Sequence, residues 1–315
     1  MISLKSVTGE AALNKSRVIT ECIKHKNLLL MLLPGIIFFL IFRYGPMYGI
    51  QIAFRDFKFN KGITGSEWVG LKHFYDLFSR PSFLEVFTNT IKISTYKLIF
   101  GFPVPIIFAL LLNELRMVKF KKAVQTISYL PHFVSWVILG GLFLQLLSPT
   151  SGPLNILLRE LGMKPIYFLG DNAWFVGTLV VTSIWKSVGW SSIIYLAAIA
   201  GVNSELYEAG NLDGCNRFQL ARYITFPAIM PIVTIMFIFA VGGIVADDFD
   251  QIFNLYSPAV YKVGDVLGTY AYRNGIESMD YSFATAVGLF TNIVSLVLVL
   301  SANFFAKRYS DNGIW

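Results

Sequence analysis

The residues best suited to chemistry in this chain lie inside or beside long apolar runs. Lys186 stands between Trp185 and Trp190 in the middle of one run. Trp faces stack on sugar rings, and an ammonium pairs either with an acidic sugar or with a carboxylate of a neighbouring subunit; the residue types leave both open. Asp247, Asp248, Asp250 and Gln251 follow a second run. They are either hydrogen-bond partners for sugar hydroxyls at an outer mouth or a solvated helix end. Lys92 and Lys97 interrupt a third run, and Lys92 fits a side chain that snorkels to an interface. His25, His73 and His132 are too scattered for a metal or a catalytic base, and Cys22 and Cys215 form no CxxC pair. No nucleophile–base pair stands out, so no catalytic residue and no metal are expected. GxxxxGK[ST] is absent, so the chain does not bind ATP by that route.

The composition says what holds these groups. Of 315 residues, 55% are hydrophobic and 14% charged, where a soluble domain carries about a quarter charged residues. Mean hydropathy is +0.60. The net charge of +7 would suit nucleic acid, but Lys and Arg lie between apolar runs and fit a positive bias facing the cytoplasm better. About 20 apolar residues cross a bilayer as a helix. Six runs qualify: Asn27 to about Tyr44, Val86–Leu112, Ala123–Leu147, Ala173–Ala200, Pro227–Val245 and Phe283–Phe305. The first has no small-residue cleavage site after it and reads as a span, not a signal peptide. Pro103 and Pro105 are expected to kink the second span. The fold class is therefore an all-α polytopic membrane bundle of six transmembrane helices, with a short segment 1–26 preceding a membrane domain over 27–315.

Charge sets the orientation. Lys5, Lys15, Arg17, Lys24 and Lys26 precede the first span; Arg116, Lys119, Lys121 and Lys122 follow the second; Lys307 and Arg308 follow the sixth. These segments share one side, and the positive-inside rule makes it the cytoplasm, with both termini there and both cysteines reduced. The first outer loop, Gly45 to Glu85, carries Phe54, Phe57, Phe59, Trp68, Phe74, Tyr75 and Phe78 and reads as a small ordered cap.

The segment 201–226 is neither apolar enough to span nor polar enough to be disordered. Asn203 or Ser204 suits a helix N-cap, and Glu205 and Glu208 suit the first turn. Asp213-Gly214 reads as a turn, with Asp213 expected to cap the next helix, and Pro227 opens the following span. The expected result is a helix-turn-helix on the cytoplasmic face.

Glu208-Ala209-Gly210, then Asp213-Gly214-Cys215, Phe218, and Ile224-Thr225-Phe226-Pro227 together resemble the EAA loop of ABC importer permeases. Gly210, Cys215 and Phe226 depart from its usual Ala, Ala and Leu, but leave the spacing intact. Tyr44-Gly45-Pro46-Met47-Tyr48-Gly49, Ile52-Ala53-Phe54-Arg55-Asp56-Phe57, Trp68-Val69-Gly70-Leu71-Lys72-His73-Phe74, Asp250 to Tyr256, Thr269 to Arg273, Tyr281 to Phe290 and Trp315 are similar to Gram-positive permeases for complex-polysaccharide fragments of the rhamnogalacturonan type. Ala246-Asp247-Asp248 departs from the small or amide residues usual there.

The resemblance implies a type I importer permease in a bacterial cell membrane. Its coupling loop, 201–227, would engage ATPases through Glu205, Glu208, Ala209, Gly210, Asp213, Gly214, Phe218 and Pro227. The implied partners are a second, related permease, two ATPase subunits carrying ATP and Mg, and an extracellular solute-binding lipoprotein that delivers an oligosaccharide, with pectin-derived acidic fragments the nearest likeness. Trp185, Lys186, Trp190, Asp247, Asp248, Asp250 and Gln251 would lie on the substrate pathway. Two other classes make different demands. An ion-coupled symporter needs an intramembrane carboxylate, and only Asp247 and Asp248 come near one. A membrane glycosyltransferase needs a polar catalytic domain.

Overall fold

The computed structural model describes Thr20, residues 24–246 and residues 248–310, the side chains of 309 and 310 excepted. Asp247, Cys22, Trp315, the basic Lys5, Lys15 and Arg17 and most of the segment 1–26 lie outside the described residues. Among the described residues, five helices are long and apolar enough to cross a membrane: α1 (Lys26–Phe54), α3 (Pro81–Glu114), α7 (Asn172–Ala200), α9 (Arg217–Gly242) and α12 (Tyr281–Ser310). A short α2 (Lys72–Ser79) precedes α3, α6 (Pro153–Glu160) precedes α7, and α11 (Leu267–Tyr272) precedes α12. The pair α4 (Val118–Phe133) and α5 (Trp136–Leu146) completes a sixth span when taken together.

That pair corrects the predicted third span. Ala123–Leu147 is not one helix, because the chain turns by 104° between α4 and α5. The cause is local. Pro131 has no N–H to donate, the last turn tightens to 3₁₀ over Leu130–Phe133, and Val134 is extended. Ser135 then restarts the helix, its hydroxyl accepting from the Ile138 N–H at 3.4 Å.

The two prolines of α3 do not divide the span. The helix runs through Pro103 and Pro105, whose missing N–H groups leave upstream carbonyls without their usual donors, and a π turn at Lys97–Gly101 stands just before them. The fifth span begins at Arg217, ten residues earlier than predicted, because a π turn at Ala221–Thr225 carries the helix into Phe226.

Among the described residues, three buried clusters run down the bundle. Leu77, Phe83, Val245, Leu267, Phe283 and Val287 join α2 and the starts of α3 and α12. Ile93, Phe175, Leu179, Ile252 and Leu255 join α3 and α7 to α10 (Phe249–Leu255). Ile106, Ala109, Tyr195, Ile199, Ile229 and Val233 join the far halves of α3, α7 and α9. None of the apolar window of α1 is buried; the helix meets the bundle through its last turns, Tyr48–Phe54, against α12.

At the end where α3 and α12 begin, the loop after α1 folds into the expected cap. A two-stranded antiparallel ribbon, β1 (Arg55–Asp56) with β2 (Glu67–Trp68), pairs Arg55 with Trp68. Phe54 stacks on Trp68 at 5.6 Å and meets Phe74 at 5.6 Å. Ser282 of α12 holds the ribbon, accepting from the Phe57 N–H and donating to the Arg55 carbonyl.

Candidate functional site

Two places gather the residues with functional potential: the turn between α7 and α9, and the bundle interior around Lys97.

The turn is the helix-turn-helix the sequence predicts, with its internal fastenings differently distributed. Asn203 caps α8 (Ser204–Leu212), its side chain accepting from the Glu205 N–H at 3.0 Å. Gly214 has φ +79, the left-handed conformation in which a helix commonly ends, and Cys215 N–H closes onto the Gly210 carbonyl at 2.9 Å. Asp213 does not cap the next helix; it ends α8, and Asn216 caps instead. Asn216 and Gln219 exchange side chain-to-backbone bonds of 2.9 and 2.8 Å, a full capping box.

Gly210 is buried against the turn's own second limb: a Cβ there would sit 2.7 Å from Leu220 and 2.8 Å from Ile224. Its smallness serves internal packing. Tyr207 and Thr225 share a hydroxyl contact of 3.0 Å that ties α8 to the root of α9. The outward face is built differently. Glu205, Glu208, Ala209 and Asp213 are exposed, and so are large apolar groups: Leu212 is 90% exposed and Phe218 79%, with Leu206 and Tyr223 beside them. Pro227 lies inside α9, just after its π turn at Ala221–Thr225.

Leu206 and Leu212 are residues the sequence reading missed. Their signal was present, an apolar side chain on a short polar helix, but apolar residues of that kind usually face a core.

In the interior, the residues predicted for a pathway separate into two groups. Trp185, Lys186 and Trp190 of α7 face the α4–α5 break. Lys186 donates to the His132 carbonyl at 2.8 Å and lies 5.5 Å from the Trp136 ring. Trp190 stacks on His132 at 4.5 Å, and Trp185 meets Phe143 edge-on at 5.6 Å. Lys186 thus serves carbonyls that the broken helix leaves open. Gly189 permits the close approach there, since a Cβ would fall 2.1 Å from the Ser128 carbonyl.

Asp248 and Gln251 form the second group, and their partner is Lys97. Its ammonium donates to Asp248 at 2.7 Å and to the Gln251 side-chain oxygen at 2.6 Å. Gln251 is fully buried and fixed in turn, donating to the Leu179 carbonyl at 2.7 Å and to Thr182 Oγ1 at 2.9 Å. Asp250 does not join them; it lies exposed in the first turn of α10, a solvated helix end.

Lys97 borders two cavities. One of about 390 Å³ is lined by Ser94, Phe102, Ala240, Gly243 and Asp248. The other, of about 290 Å³, is lined by Phe102, Tyr195 and a serine stripe, Ser183, Ser187 and Ser191, at helical spacing on α7. The sequence reading left Lys97 without a role and passed over the serines, because no apolar-run analysis pairs a lysine with a residue 151 positions away.

Nearer the cap, Asp265 is buried and held bidentately by Arg273, at 2.5 and 3.1 Å, with Thr269 donating at 2.8 Å. Burial opposes the charge of Arg273, but the hydrogen bond and charge of Asp265 outweigh it and hold the guanidinium above the usual arginine range. Among the described residues no group of His, Cys, Asp and Glu could hold a metal ion.

Residues 101–311 match the family model for a binding-protein-dependent transport system inner membrane component. The chain is 43% identical over 301 residues to the polygalacturonan/rhamnogalacturonan transport system permease protein YteP of Bacillus subtilis (strain 168), covering 96% of this chain and 94% of that one. It is similar to a solved bacterial ABC transporter involved in the import of the acidic polysaccharide alginate, with TM-score 0.85 and 41% identity over 93% of this chain and 99% of that one. It matches the alginate transporter in complex with a periplasmic protein carrying alginate pentasaccharide at TM-score 0.86 and 41% identity, over 95% of this chain and all of that one.

Proposed function

The chain belongs to the binding-protein-dependent transport system inner membrane components, a multi-pass membrane permease family, and from that premise we propose that it imports acidic, carboxylate-bearing oligosaccharides by alternating access. An extracellular binding protein would deliver the sugar to the end carrying the aromatic cap. Two ATPase subunits, carrying ATP and Mg, would bind the opposite end, and the basic segments, both termini and the loop 201–227 would then lie in the cytoplasm. One chain presents one such loop, so a second, related permease would complete the pathway and receive the second ATPase.

The observation that carries this reading is the α8 turn: a rigid, fully capped helix-turn-helix with Leu212 and Phe218 bare at its tip. Bare apolar groups on a well-ordered projection mark a surface that another protein covers. Polygalacturonan, rhamnogalacturonan and alginate are acidic sugars, and the similarity to permeases named for them supports the substrate class. An ion-coupled symporter is disfavoured, because Asp248 is already neutralised by Lys97.

The test is ATP hydrolysis by the reconstituted complex with oligogalacturonide-loaded binding protein, for wild type and Glu208→Lys. Stimulated hydrolysis in the wild type that is lost in an assembled variant supports the reading. A variant that matches the wild type removes 201–227 as the coupling element.

A further inference from the structure

We propose that the Lys97–Asp248 ion pair is a specificity latch, in which Asp248 occupies the place of a substrate carboxylate and a uronate group displaces it during passage. The inference rests on the importer reading above and names the residue of that pathway that reads charge.

The two acceptors of the Lys97 ammonium differ in kind. Gln251 is fully buried, and its amide N–H groups are engaged with Leu179 and Thr182, so its oxygen is a fixed ligand. Asp248 is the replaceable one. It sits just ahead of α10, makes no side-chain cap to that helix, and its side chain is 53% exposed where that of Lys97 is 15% exposed. An ammonium within a membrane bundle must keep an anionic or dipolar partner, so exchange of one carboxylate for another is the low-cost route by which Lys97 engages a ligand. A neutral sugar cannot make that exchange.

The surroundings leave room for it. The cavity on which Asp248 opens is floored by Ser94, Ala240, Gly243 and Ala246, small groups that keep about 390 Å³ clear. Phe102 borders this cavity and the one of about 290 Å³ beyond, so Lys97 and Phe102 together form the partition between them. An aromatic face beside a cation suits a uronate, whose ring is covered while its carboxylate pairs. Lys97 also opens the π turn of α3, the place where that helix's hydrogen-bond ladder is already offset and can adjust.

The latch gives its two members opposite signs. Removing Lys97 deprives the substrate carboxylate of its partner; removing the Asp248 charge removes its competitor. The experiment measures uptake into proteoliposomes by the full complex, with binding protein loaded with trigalacturonate or with its neutral methyl ester. Each variant is scored against wild type on the same sugar, so the preference of the binding protein cancels. Lys97→Met is expected to raise the apparent KM for trigalacturonate about tenfold or more, the worth of a charge-assisted hydrogen bond. It should leave the ester within a factor of two or so. Asp248→Asn is expected to lower the trigalacturonate KM, and Lys97→Arg to stay near wild type.

Equal losses in Lys97→Met and Asp248→Asn on both sugars would make the pair a structural brace and overturn the latch. If Lys97→Met fails to assemble, Asp248→Asn and Lys97→Arg decide by the same signs. A wild-type complex that takes up neither sugar refutes the substrate reading itself, an outcome distinct from loss of the latch.

Discussion

Truncation of Leu212 and Phe218 separates an interface from a fold. Both side chains lie on the tip of the α8 turn, 90% and 79% exposed. Substitution of groups this exposed changes stability within about 0.5 kcal/mol, so Leu212→Ser and Phe218→Ser are expected to melt with the wild type. If an ATPase subunit covers them, each loses the burial of a large apolar side chain, roughly 1.5–3 kcal/mol. That is a factor of roughly 10 to 150 in affinity for the ATPase. Titrating fluorescent ATPase subunit onto the permease pair in nanodiscs measures it, with substrate-stimulated hydrolysis as the second readout. Glu208→Ala is the contrast, because an exposed rim charge contributes at most about 1 kcal/mol. Wild-type affinity and stimulation in Leu212→Ser would refute the docking argument. A lowered melting temperature would show instead that the tip packs against its own chain.

Three further outcomes follow from backbone and burial. Gly214→Val forces a β-branched residue into φ +79 and is expected to cost about 1–2 kcal/mol and uncouple hydrolysis, whereas Gly214→Asn retains coupling; thermal melting and stimulated hydrolysis check both. Gly189→Ala places a methyl 2.1 Å from the Ser128 carbonyl and is expected to lower stability by about 1–3 kcal/mol, while Gly177→Ala, with open space around it, is tolerated; melting in detergent compares them. Arg273→Leu strands the buried Asp265 and is expected to cost about 3–5 kcal/mol, with Arg273→Leu/Asp265→Leu recovering part of it in the same assay.

What the sequence revealed and what it concealed divide along a physical line. Spans were legible because a bilayer demands a continuous apolar length, and five of the six predicted runs are single helices. The α8 turn was legible because caps and turn residues act over three or four positions; Asn203 and Gly214 took their predicted places. The capping choice between Asp213 and Asn216 was not, since both types cap well and only the length of the turn decides. The α4–α5 break was hidden inside an apolar run, where Pro131 alone does not distinguish a kink from a continuous helix. Lys97 was illegible for another reason. Its partners come from the start of α10 and the residue before it, and it takes its meaning from long-range contact, as Gly189 does from Ser128.

The same contacts say how movement at one end would reach the other. The α8 turn is flanked by the end of α7 and the start of α9, and those two helices supply part of the walls around Lys97: Ser183, Ser187, Ser191 and Tyr195 from α7, Met236 and Ala240 from α9. The turn is tied to α9 by Tyr207 and Thr225, and its two limbs are locked by Gly210 against Leu220 and Ile224. A push on Leu212 and Phe218 therefore acts on a rigid piece and not on a loop. What can yield lies at three places: the π turn of α9 at Ala221–Thr225, the π turn of α3 at Lys97 and the α4–α5 break held by Lys186. If ATPase subunits cover the α8 turn, a capped helix-turn-helix meets them and adjustable elements lie between it and the rest of the bundle, an arrangement that would convert a displacement into a change of access.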